Sequence, residues 1–511
     1  MGYKNFNVGE LLKAETITLL FNLGKTSSKV LSREDVYQNY YEKKHFVSDL
    51  KYVRGDIKQF ESWKNVKFDF DDSIDFFRLF AEKKPEKWYK LFQACESINS
   101  SIDKGVLGED QLYQHPWISN AFGAFREEVS KRNLDEKRHA FFVVLLDQLK
   151  EIKLKEVKLK NEEERDNIWK EFRRKILQEL KAWYSHLLSD TRYPANDVTL
   201  WDQVYMTASL FKAALAGISI TNRMPNNPRG EVRWSVLGVQ YDKLHLAEKA
   251  LRVHYIRSYR ELVGQVDEKV KCLIEEDYAI GNEMFRDETG IYFVVSEHLI
   301  DKTSEEDKLY HLHPDFKKLR EDIVNTFNQV FQGEVYPSIR LSAPSRTTLN
   351  ISELVRQAKR NFTRPMLLPK NINQVKNVHE IKNISSNSGL CRICKFRIAT
   401  ESDGDLKICS ECKDRRSKRV DIWLEQLGIA DHETIWTGEL QDRYGRLALV
   451  TLKFELEEWL NGNLLNTVYM VLPKNKWEDV ERDFVCEILN GANKKIKDTK
   501  VAEYFDKALQ G

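Results

Sequence analysis

Four cysteines are the residues whose types and spacing could do chemistry in this chain. Cys391 and Cys394 form one Cys-x-x-Cys pair, and Cys409 and Cys412 form a second pair after fourteen intervening residues. This spacing brings four thiolates within reach of one tetrahedral ion and is typical of a structural zinc ribbon. A redox pair is the alternative, but it requires a thioredoxin-like βαβ context that the surrounding sequence lacks. We therefore predict that these four residues bind zinc.

Basic residues surround the predicted ribbon and could serve two purposes. Four thiolates on one divalent ion leave a formal charge of about −2, which neighbouring cations can stabilise. The same kind of side chain can contact nucleic-acid phosphates. The candidates for such a contact are Arg415, Arg416, Lys418 and Arg419. Acidic residues are interleaved with them, so simple charge balance is the alternative explanation.

Length and composition limit the possible classes of protein. A chain of 511 residues is too long for one hydrophobic core and predicts three or four domains. The 81 basic and 79 acidic residues nearly cancel, so no global field indicates a nucleic-acid or membrane partner. The cysteines outside the ribbon, Cys95, Cys272 and Cys486, are scattered singly, which favours a reducing cytoplasm. We find no run of eighteen apolar residues and expect a cytoplasmic protein without a membrane partner.

Residues 1–225 are predicted to be mostly helical, with few strand-like alternations. Apolar residues recur there at spacings of three and four, as on the buried face of an amphipathic helix. The clearest stripe consists of Trp169, Phe172, Ile176, Leu180, Trp183 and Leu187. We expect this stripe to lie in a core and the charged residues beside it to face solvent.

Two segments of the helical region resemble the halves of an HD-type phosphohydrolase domain. They are Phe21-Asn22-Leu-Gly-Lys25 and Thr199-Leu-Trp-Asp-Gln203. In HD domains a His-Asp pair precedes Gly-Lys and a further His follows Trp-Asp, whereas Phe21, Asn22 and Gln203 occupy those positions here. An HD site needs imidazole and carboxylate ligands for the metal ion that activates water, so we expect neither metal nor nuclease activity. The nearby residues that could replace these ligands are His186 and Asp190.

Residues 226–375 carry a pattern that predicts the element order βαββαβ. Gly290 suits a turn with a positive φ between the second and third strands. This order is that of the ferredoxin-like arrangement. The predicted elements are a strand at 232–241, a helix at 244–273, strands at 278–285 and 291–295, a helix at 316–331, a strand at 335–342 and a further helix at 351–360.

A ferredoxin-like fold forms the palm of polymerases and nucleotidyl cyclases, whose metal-binding carboxylates follow the first strand and lie in the β2–β3 hairpin. Asp242, Asp287 and Glu288 occupy roughly these places. Such carboxylates could hold two magnesium ions for phosphoryl transfer. Acidic residues are also ordinary turn residues. Neither a Gly-Gly-Asp-Asp hairpin nor a glycine-rich phosphate-binding loop accompanies them.

The C-terminal part begins with a polar linker at 371–387 that leads into the ribbon. Residues 446–452 predict a buried strand, and residues 453–462 predict an amphipathic helix that ends at a glycine. This is the start of a second palm-like region. Residues 477–509 are predicted to be helical, and we expect no further strands to complete a sheet.

Taken in order, these features resemble the large subunit of type III CRISPR effector complexes, and its divergent Csx-eleven branch in particular. The resemblance implies an RNA-guided antiviral complex with other effector subunits, crRNA and target RNA as partners. In this family the large subunit typically cleaves single-stranded DNA in its HD domain and makes cyclic oligoadenylate from ATP in its palms. The matching segments are Asn22–Lys25, Thr199–Gln203 with Met206–Ala208, Gly281–Phe293, Tyr444–Val450, Phe454 and Trp459–Gly462.

The residues that carry catalysis in that family are replaced in this chain. The HD ligands are absent, and the Asp-Gly-Asp of the second palm falls on Leu452-Lys453-Phe454. A lysine and a phenylalanine cannot hold magnesium. The four cysteines match the family ribbon.

The expected fold is therefore multidomain α+β. Its parts are a degenerate helical HD-like domain at 1–225, a ferredoxin-like palm at 226–375, a four-cysteine zinc ribbon at 385–420 and an incomplete second palm at 430–511. We expect a non-catalytic structural subunit of such a complex. One alternative is a nucleotidyl cyclase or polymerase-like enzyme that makes cyclic oligoadenylate from ATP with Asp242, Asp287 and Glu288. The other is a free-standing zinc-ribbon protein that binds nucleic acid.

Overall fold

A computed structural model describes the fold over part of the chain, and the chain forms two compact units. The sheet unit comprises Ser209–Leu452 with Met1–Leu11 and Phe68–Asp71, and the helical unit comprises Leu12–Lys67, Asp72–Ala208 and Lys453–Gly511. The described residues are 7–26, 61–68, 74–76, 86–103, 115–120, 126–157, 161–187, 189, 195–196, 198–248, 253–306, 309–346, 351–359, 389–415 and 466–471.

Helices and strands both occur in the described residues, which confirms a mixed α and β class. The α-helices are α1 (Val8–Leu19), α2 (Glu61–Lys64), α3 (Lys87–Asp103), α4 (Lys131–Glu156), α5 (Glu162–Tyr184), α6 (Leu200–Thr221), α7 (Pro228–Glu231), α8 (Lys243–Glu248), α9 (Val253–Cys272), α10 (Lys317–Phe331), α11 (Ile351–Lys359) and α12 (Ser410–Asp414). The strands are β1 (Asn65–Val66), β2 (Ile74–Asp75), β3 (His115–Asn120), β4 (Arg126–Glu128), β5 (Ala195–Asn196), β6 (Trp234–Gln240), β7 (Gly281–Asp287), β8 (Gly290–Ser296), β9 (Ile300–Glu306), β10 (Leu309–Leu312), β11 (Ser338–Ser342), β12 (Glu401–Asp403), β13 (Leu406–Ile408) and β14 (Asn466–Val471).

Helix α5 shows how the sequence builds the helical unit. The side chain of Asn161 caps its N-terminus by accepting a hydrogen bond from Glu164 N at 2.8 Å, and three glutamates occupy the first turn. The predicted apolar stripe is buried, which confirms it as core. Arg173, on the same helix, forms a buried ion pair with Glu15 of α1, with Nε and Oε2 2.6 Å apart. Packing and one buried charge pair therefore join α1 to α5.

The helical unit also contains a four-stranded antiparallel sheet in the order β4-β3-β14-β5. The prediction of few strands in residues 1–225 missed the five short strands β1 to β5 that the structure describes there. Strand β14 contradicts the expectation of no strand after the predicted second palm opening, because it pairs with β3 along its whole length. Residues 446–462 and 477–509 lie outside the described residues. Sequence periodicity could not show a pairing between such distant segments.

The sheet unit is built on six antiparallel strands in the order β7-β8-β6-β11-β10-β9. The predicted order βαββαβ is present, with α9 before β7 and α10 before β11. The hairpin of β9 and β10 is an addition that the sequence analysis missed. Strand β6 is central and all seven of its residues are buried. Helix α10 packs on one face through Tyr241 and Phe327, and α11 packs on the other through Val355.

Glycines set the limits of strand β7 and of the hairpin it forms with β8. The strand begins at Gly281 and not at the predicted residue 278, because Ala279 has a φ of 50°. A Cβ at position 281 would lie 2.1 Å from Val294 O, so only glycine fits there. Gly290 has a φ of +151°, which confirms the predicted positive φ at this turn.

Helix α6 is long and apolar enough to cross a membrane by composition alone, with a mean hydropathy of 1.3 in its most apolar window. The sequence analysis did not single it out. The protein itself buries 72% of that window. This burial is typical of the core helix of a soluble protein.

Candidate functional site

The four predicted cysteines lie together in the sheet unit. All four are buried, and their Sγ atoms lie within 4.8 Å of one another. Cys394 Sγ and Cys409 Sγ are 3.9 Å apart. A tetrahedral zinc ion with Zn–S bonds of about 2.3 Å needs sulfur–sulfur distances of about 3.8 Å. The donor set and its spacing therefore fit one metal ion.

Backbone hydrogen bonds shape the first cysteine pair into a tight loop. Cys391 N donates to Arg397 O at 2.7 Å, and Lys395 N donates to Cys391 O at 3.0 Å. Lys395 adopts a left-handed conformation with a φ of 55°. Arg397 N then points at Cys394 Sγ from 3.4 Å. The second pair follows the hairpin of β12 and β13 and begins helix α12.

The four thiols interact strongly with one another. Hydrogen bonding with the Cys412 thiol, followed by the N–H groups of Arg397 and Phe396, lowers the pKa of Cys394 to about 4. The same contact with Cys394 raises the pKa of Cys412, and burial raises the pKa of Cys409. Four thiolates at one point therefore require a cation to stabilise them.

Arg397 links the cysteine cluster to the end of helix α10. Its Nη2 donates to Phe331 O at 2.8 Å and to Gln332 O at 3.0 Å, and its Nη1 lies 3.7 Å from Glu334 Oε2. Burial opposes its charge, but hydrogen bonding to Cys409 and the charge of Glu334 outweigh burial and raise the pKa of Arg397. The guanidinium of Arg397 thus interacts with the thiolates and also donates hydrogen bonds to carbonyl groups at the end of helix α10.

Arg415, one of the predicted nucleic-acid contacts, is also engaged within the sheet unit. Its Nη1 donates to Glu334 Oε2 at 2.8 Å, its Nη2 donates to Phe331 O at 3.3 Å, and its side chain is only 10% exposed. This geometry gives Arg415 a structural role in holding the ribbon. The other three candidates, Arg416, Lys418 and Arg419, lie outside the described residues.

Glu334 is the acceptor at the centre of these contacts, and the sequence analysis did not single it out. Its side chain is fully buried and also accepts a hydrogen bond from Tyr259 OH at 2.6 Å. A second contact of the ribbon joins Tyr255 OH to Asp403 Oδ2 at 3.1 Å. Both tyrosines lie one turn apart on α9, a spacing that marks them as one face of the helix. The ribbon is therefore held by α9 and by the end of α10.

The three carboxylates proposed for a palm site lie at one end of the six-stranded sheet, since Lys243 N donates to Glu288 O at 3.1 Å. Each has its own environment. Asp242 caps α8 by accepting from His245 N at 2.8 Å. Asp287 forms an ion pair with Lys359 of α11, and Glu288 is exposed.

Asp287 is neutralised by neighbours in the structure. Burial opposes its ionisation, but hydrogen bonds from Lys359 and Thr289 outweigh burial and lower the pKa of Asp287. The Lys359 ammonium also lies 4.9 Å from the ring centroid of Phe285. Over the described ranges, the four cysteines are the only group of three or more His, Cys, Asp or Glu side chains arranged to hold one metal ion. The Lys359 ammonium thus lies beside Asp287, where the alternative interpretation would need a magnesium ion.

A buried carboxylate that the sequence did not reveal lies next to this end of the sheet. Asp267 of α9 accepts hydrogen bonds from Tyr241 OH and Lys243 Nζ, both at 2.7 Å. Arg286 of β7 lies 3.7 Å from the same carboxylate and pairs closely with Glu283. These charges join α9 to the sheet.

The two HD-like segments do meet in the helical unit. Lys25 Nζ donates to Gln203 Oε1 at 2.6 Å and to Ser189 O at 2.5 Å. Asn99 Nδ2 donates to Gln203 O at 2.7 Å. Phe21 packs edge-on against another phenylalanine of α3, with ring centroids 4.3 Å apart. An ammonium group and amides therefore fill the place where ligands would converge.

His186, a candidate replacement ligand, contacts an acid that the sequence analysis did not single out. Its Nδ1 lies 3.4 Å from Glu127 Oε2, and Lys137 Nζ lies 3.0 Å from the other oxygen of the same carboxylate. The close contact with His186, followed by the Lys137 ammonium, lowers the pKa of Glu127 to about 2. Asp190 lies outside the described residues. This pairing explains His186 as a stabilising contact between β4 and the end of α5.

Comparison with known proteins gives no family assignment. No protein-family model matches the chain, and no curated protein is significantly similar to it. The function must therefore be argued from the geometry above.

Proposed function

We propose that this chain is a non-catalytic structural subunit of a type III CRISPR-like effector complex, held together locally by a zinc ribbon. The observation that carries this proposal is the contact of Lys25 with Gln203. It supports the proposal because the two segments that resemble HD halves lie in contact, and Lys25 places an ammonium group at that contact. A second divalent cation beside Lys25 would meet electrostatic repulsion.

Zinc is the metal that the ribbon would take. Four buried thiolates that lie within 4.8 Å of one another favour zinc over magnesium or calcium, which prefer oxygen ligands. When bound, zinc would supply structural crosslinking and no open coordination position for substrate. Cys391, Cys394, Cys409 and Cys412 would hold it, and Arg397 would offset part of the negative charge.

The sheet unit supports the palm assignment through its strand order. Without the β9–β10 hairpin, the order β7-β8-β6-β11 is that of the ferredoxin-like fold predicted from the sequence. Its role in the proposal is to present a shaped surface to partner subunits and to the crRNA–target duplex, which proteins recognise mainly by shape and backbone contacts. The complex would act in the cytoplasm.

Purification of the tagged chain from its own cells tests membership of a complex. We expect repeated backbone subunits and a small RNA of uniform length to co-purify, together with one zinc ion per chain. Incubation with single-stranded DNA and manganese or magnesium should give no cleavage. If the chain purified alone and without RNA, the proposal that it belongs to a complex would be wrong. If it cleaved DNA in a metal-dependent way and Asn22→Ala abolished the cleavage, the proposal that it is non-catalytic would be wrong.

The alternative function is a nucleotidyl cyclase or polymerase-like enzyme. One observation favours it, namely that Asp242, Asp287 and Glu288 lie at the same end of the sheet. The ion pair of Asp287 with Lys359 opposes it, because the ammonium competes with magnesium for the same oxygen. Incubation with ATP and magnesium, with and without target RNA, separates the two functions. An oligoadenylate product that Asp287→Ala removes would favour the enzyme.

A further inference from the structure

A pocket of about 300 Å³ lies in the sheet unit, away from the cysteines and from the palm carboxylates. Its walls come from the last turns of α6, the segment that follows this helix, the start of β6 and the end of β8. The residues that matter for its chemistry are Ile218, Arg223, Val232, Arg233, Ser296 and His298. Pockets of this size hold small organic molecules.

Close packing fixes the walls of this pocket. Trp234 Nε1 donates to Leu210 O at 2.9 Å, which ties α6 to β6. A Cβ at Gly217 would lie 2.2 Å from Ser296 Oγ, so the glycine lets α6 approach the end of β8. Glu297 N donates to Arg233 O at 3.2 Å and joins the two edges of the opening. The pocket is therefore part of the folded framework.

The acidic side chains at the pocket are already engaged. Glu231 accepts a hydrogen bond from Asn227 N at 2.8 Å and so closes its own short helix. Glu297 lies 4.0 Å from Lys302 Nζ. By contrast, neither the Arg223 nor the Arg233 guanidinium has a carboxylate partner among the residues that the structure describes. Two arginines without a carboxylate partner in the described residues therefore line the pocket, Arg223 exposed and Arg233 half-buried, and such groups can bind an anion.

The floor of the pocket adds a hydroxyl group and an imidazole. Ser296 is only 3% exposed and accepts a hydrogen bond from His298 N at 3.4 Å. Within the described part of the chain no acceptor is present for its hydroxyl hydrogen. Burial lowers the pKa of His298, so its ring is neutral at neutral pH and can donate or accept one hydrogen bond. Ile218 and Val232 supply an apolar wall beside these groups.

We propose that this pocket binds a small organic anion, whose carboxylate or phosphate lies between Arg223 and Arg233 and whose apolar part lies against Ile218 and Val232. The guanidinium groups supply charge-assisted hydrogen bonds, and Ser296 orients the anionic group with its free hydrogen. This inference does not depend on the proposed complex, because it uses only residues of the sheet unit.

Titration of the full chain with 8-anilinonaphthalene-1-sulfonate, a fluorescent aromatic anion, tests the proposal. We expect saturable binding at one site and competition by phenyl phosphate but not by phenol, which lacks the charge. Arg223→Gln and Arg233→Gln should each weaken binding about tenfold, roughly the effect of one hydrogen bond to a charged group. Arg229→Gln is the matched control, since Arg229 lies on α7 but does not line the pocket.

Two results would overturn the proposal. One is that phenol competes with the fluorescent anion as strongly as phenyl phosphate does. This result would show that the pocket does not recognise the negative charge, and it can be obtained with the wild-type chain alone. The other is unchanged affinity in Arg223→Gln and Arg233→Gln, with far-ultraviolet circular dichroism showing that both variants are folded.

Discussion

Replacing Glu334 by glutamine should undock the ribbon from the helices that hold it. The carboxylate is fully buried and accepts hydrogen bonds from Arg415 at 2.8 Å and from Tyr259 at 2.6 Å, with Arg397 at 3.7 Å. Glutamine keeps the shape and one acceptor oxygen but removes the negative charge that faces both guanidinium groups. The two arginines keep their contacts with helix carbonyls, notably Phe331 O.

The expected cost follows from the burial of this group. Removing one partner of a buried ion pair costs about 3–5 kcal/mol, and the retained acceptor places Glu334→Gln at the lower end. A cost of about 3 kcal/mol raises the undocked population of the ribbon about 100-fold. After both proteins are loaded with zinc, the metal that we propose for the four cysteines should therefore pass to a chromophoric chelator much faster from the variant. The urea concentration at the midpoint of unfolding, followed by tryptophan fluorescence, should fall as well.

A matched control exists within the same ribbon. Glu401 pairs with Lys413 at 2.8 Å, but both side chains are exposed, at 39% and 54%. Exposed pairs contribute about 0–1 kcal/mol, so Glu401→Gln should leave zinc transfer nearly unchanged. If Glu334→Gln transferred zinc no faster than the wild type, or if both variants behaved alike, the reasoning that burial sets the cost would be refuted.

Three further predictions concern stability and its measurement by urea denaturation. Arg173→Met leaves the Glu15 carboxylate buried without its cation and should lower the unfolding free energy by about 3–5 kcal/mol, while a loss below about 1 kcal/mol would contradict the buried pair. Gly281→Ala should destabilise the sheet unit because the new Cβ would lie 2.1 Å from a backbone oxygen. The control is Gly264→Ala in helix α9, where a new Cβ would have no neighbour within 4 Å, so this change should stabilise the unit by up to about 1 kcal/mol. The pKa of Glu127 is depressed to about 2 in the folded state, so its ionised form should add to the unfolding free energy above about pH 4.5. This added free energy should be lost as the pH falls towards 2, and Glu127→Gln should remove this part of the pH dependence.

Features that depend on neighbours in sequence were predictable. The two cysteine pairs need only short loops and one hairpin between them, and they converge as expected. Gly290 was identified because glycine at a hairpin turn suits a positive φ, and its φ is +151°. The stripe that includes Trp169 and Phe172 follows helical periodicity and is buried. In each case a local rule determines the outcome.

Features that depend on distant partners were not predictable. Glu334 lies in a short segment with no periodic signal, and its role arises only when α9 and the ribbon meet there. Asp287 was a candidate metal ligand because of its position in a hairpin, but the cation beside it comes from Lys359 on helix α11. The hairpin of β9 and β10 was missed because its mainly polar first strand lies at a sheet edge and lacks an apolar alternation. The predicted function itself stays a prediction that the experiments above address.

The position of β14 has a consequence for how the helical unit is made. This strand, residues 466–471, lies between β3 at 115–120 and β5 at 195–196, so the sheet needs partners from both ends of the chain. At about 5–20 residues per second, the ribosome takes roughly tens of seconds to supply β14 after β3 has emerged. During that interval β3 presents an open strand edge, which invites pairing with other nascent chains. We expect production of this protein to depend on the rate of translation and on chaperones that shield such edges.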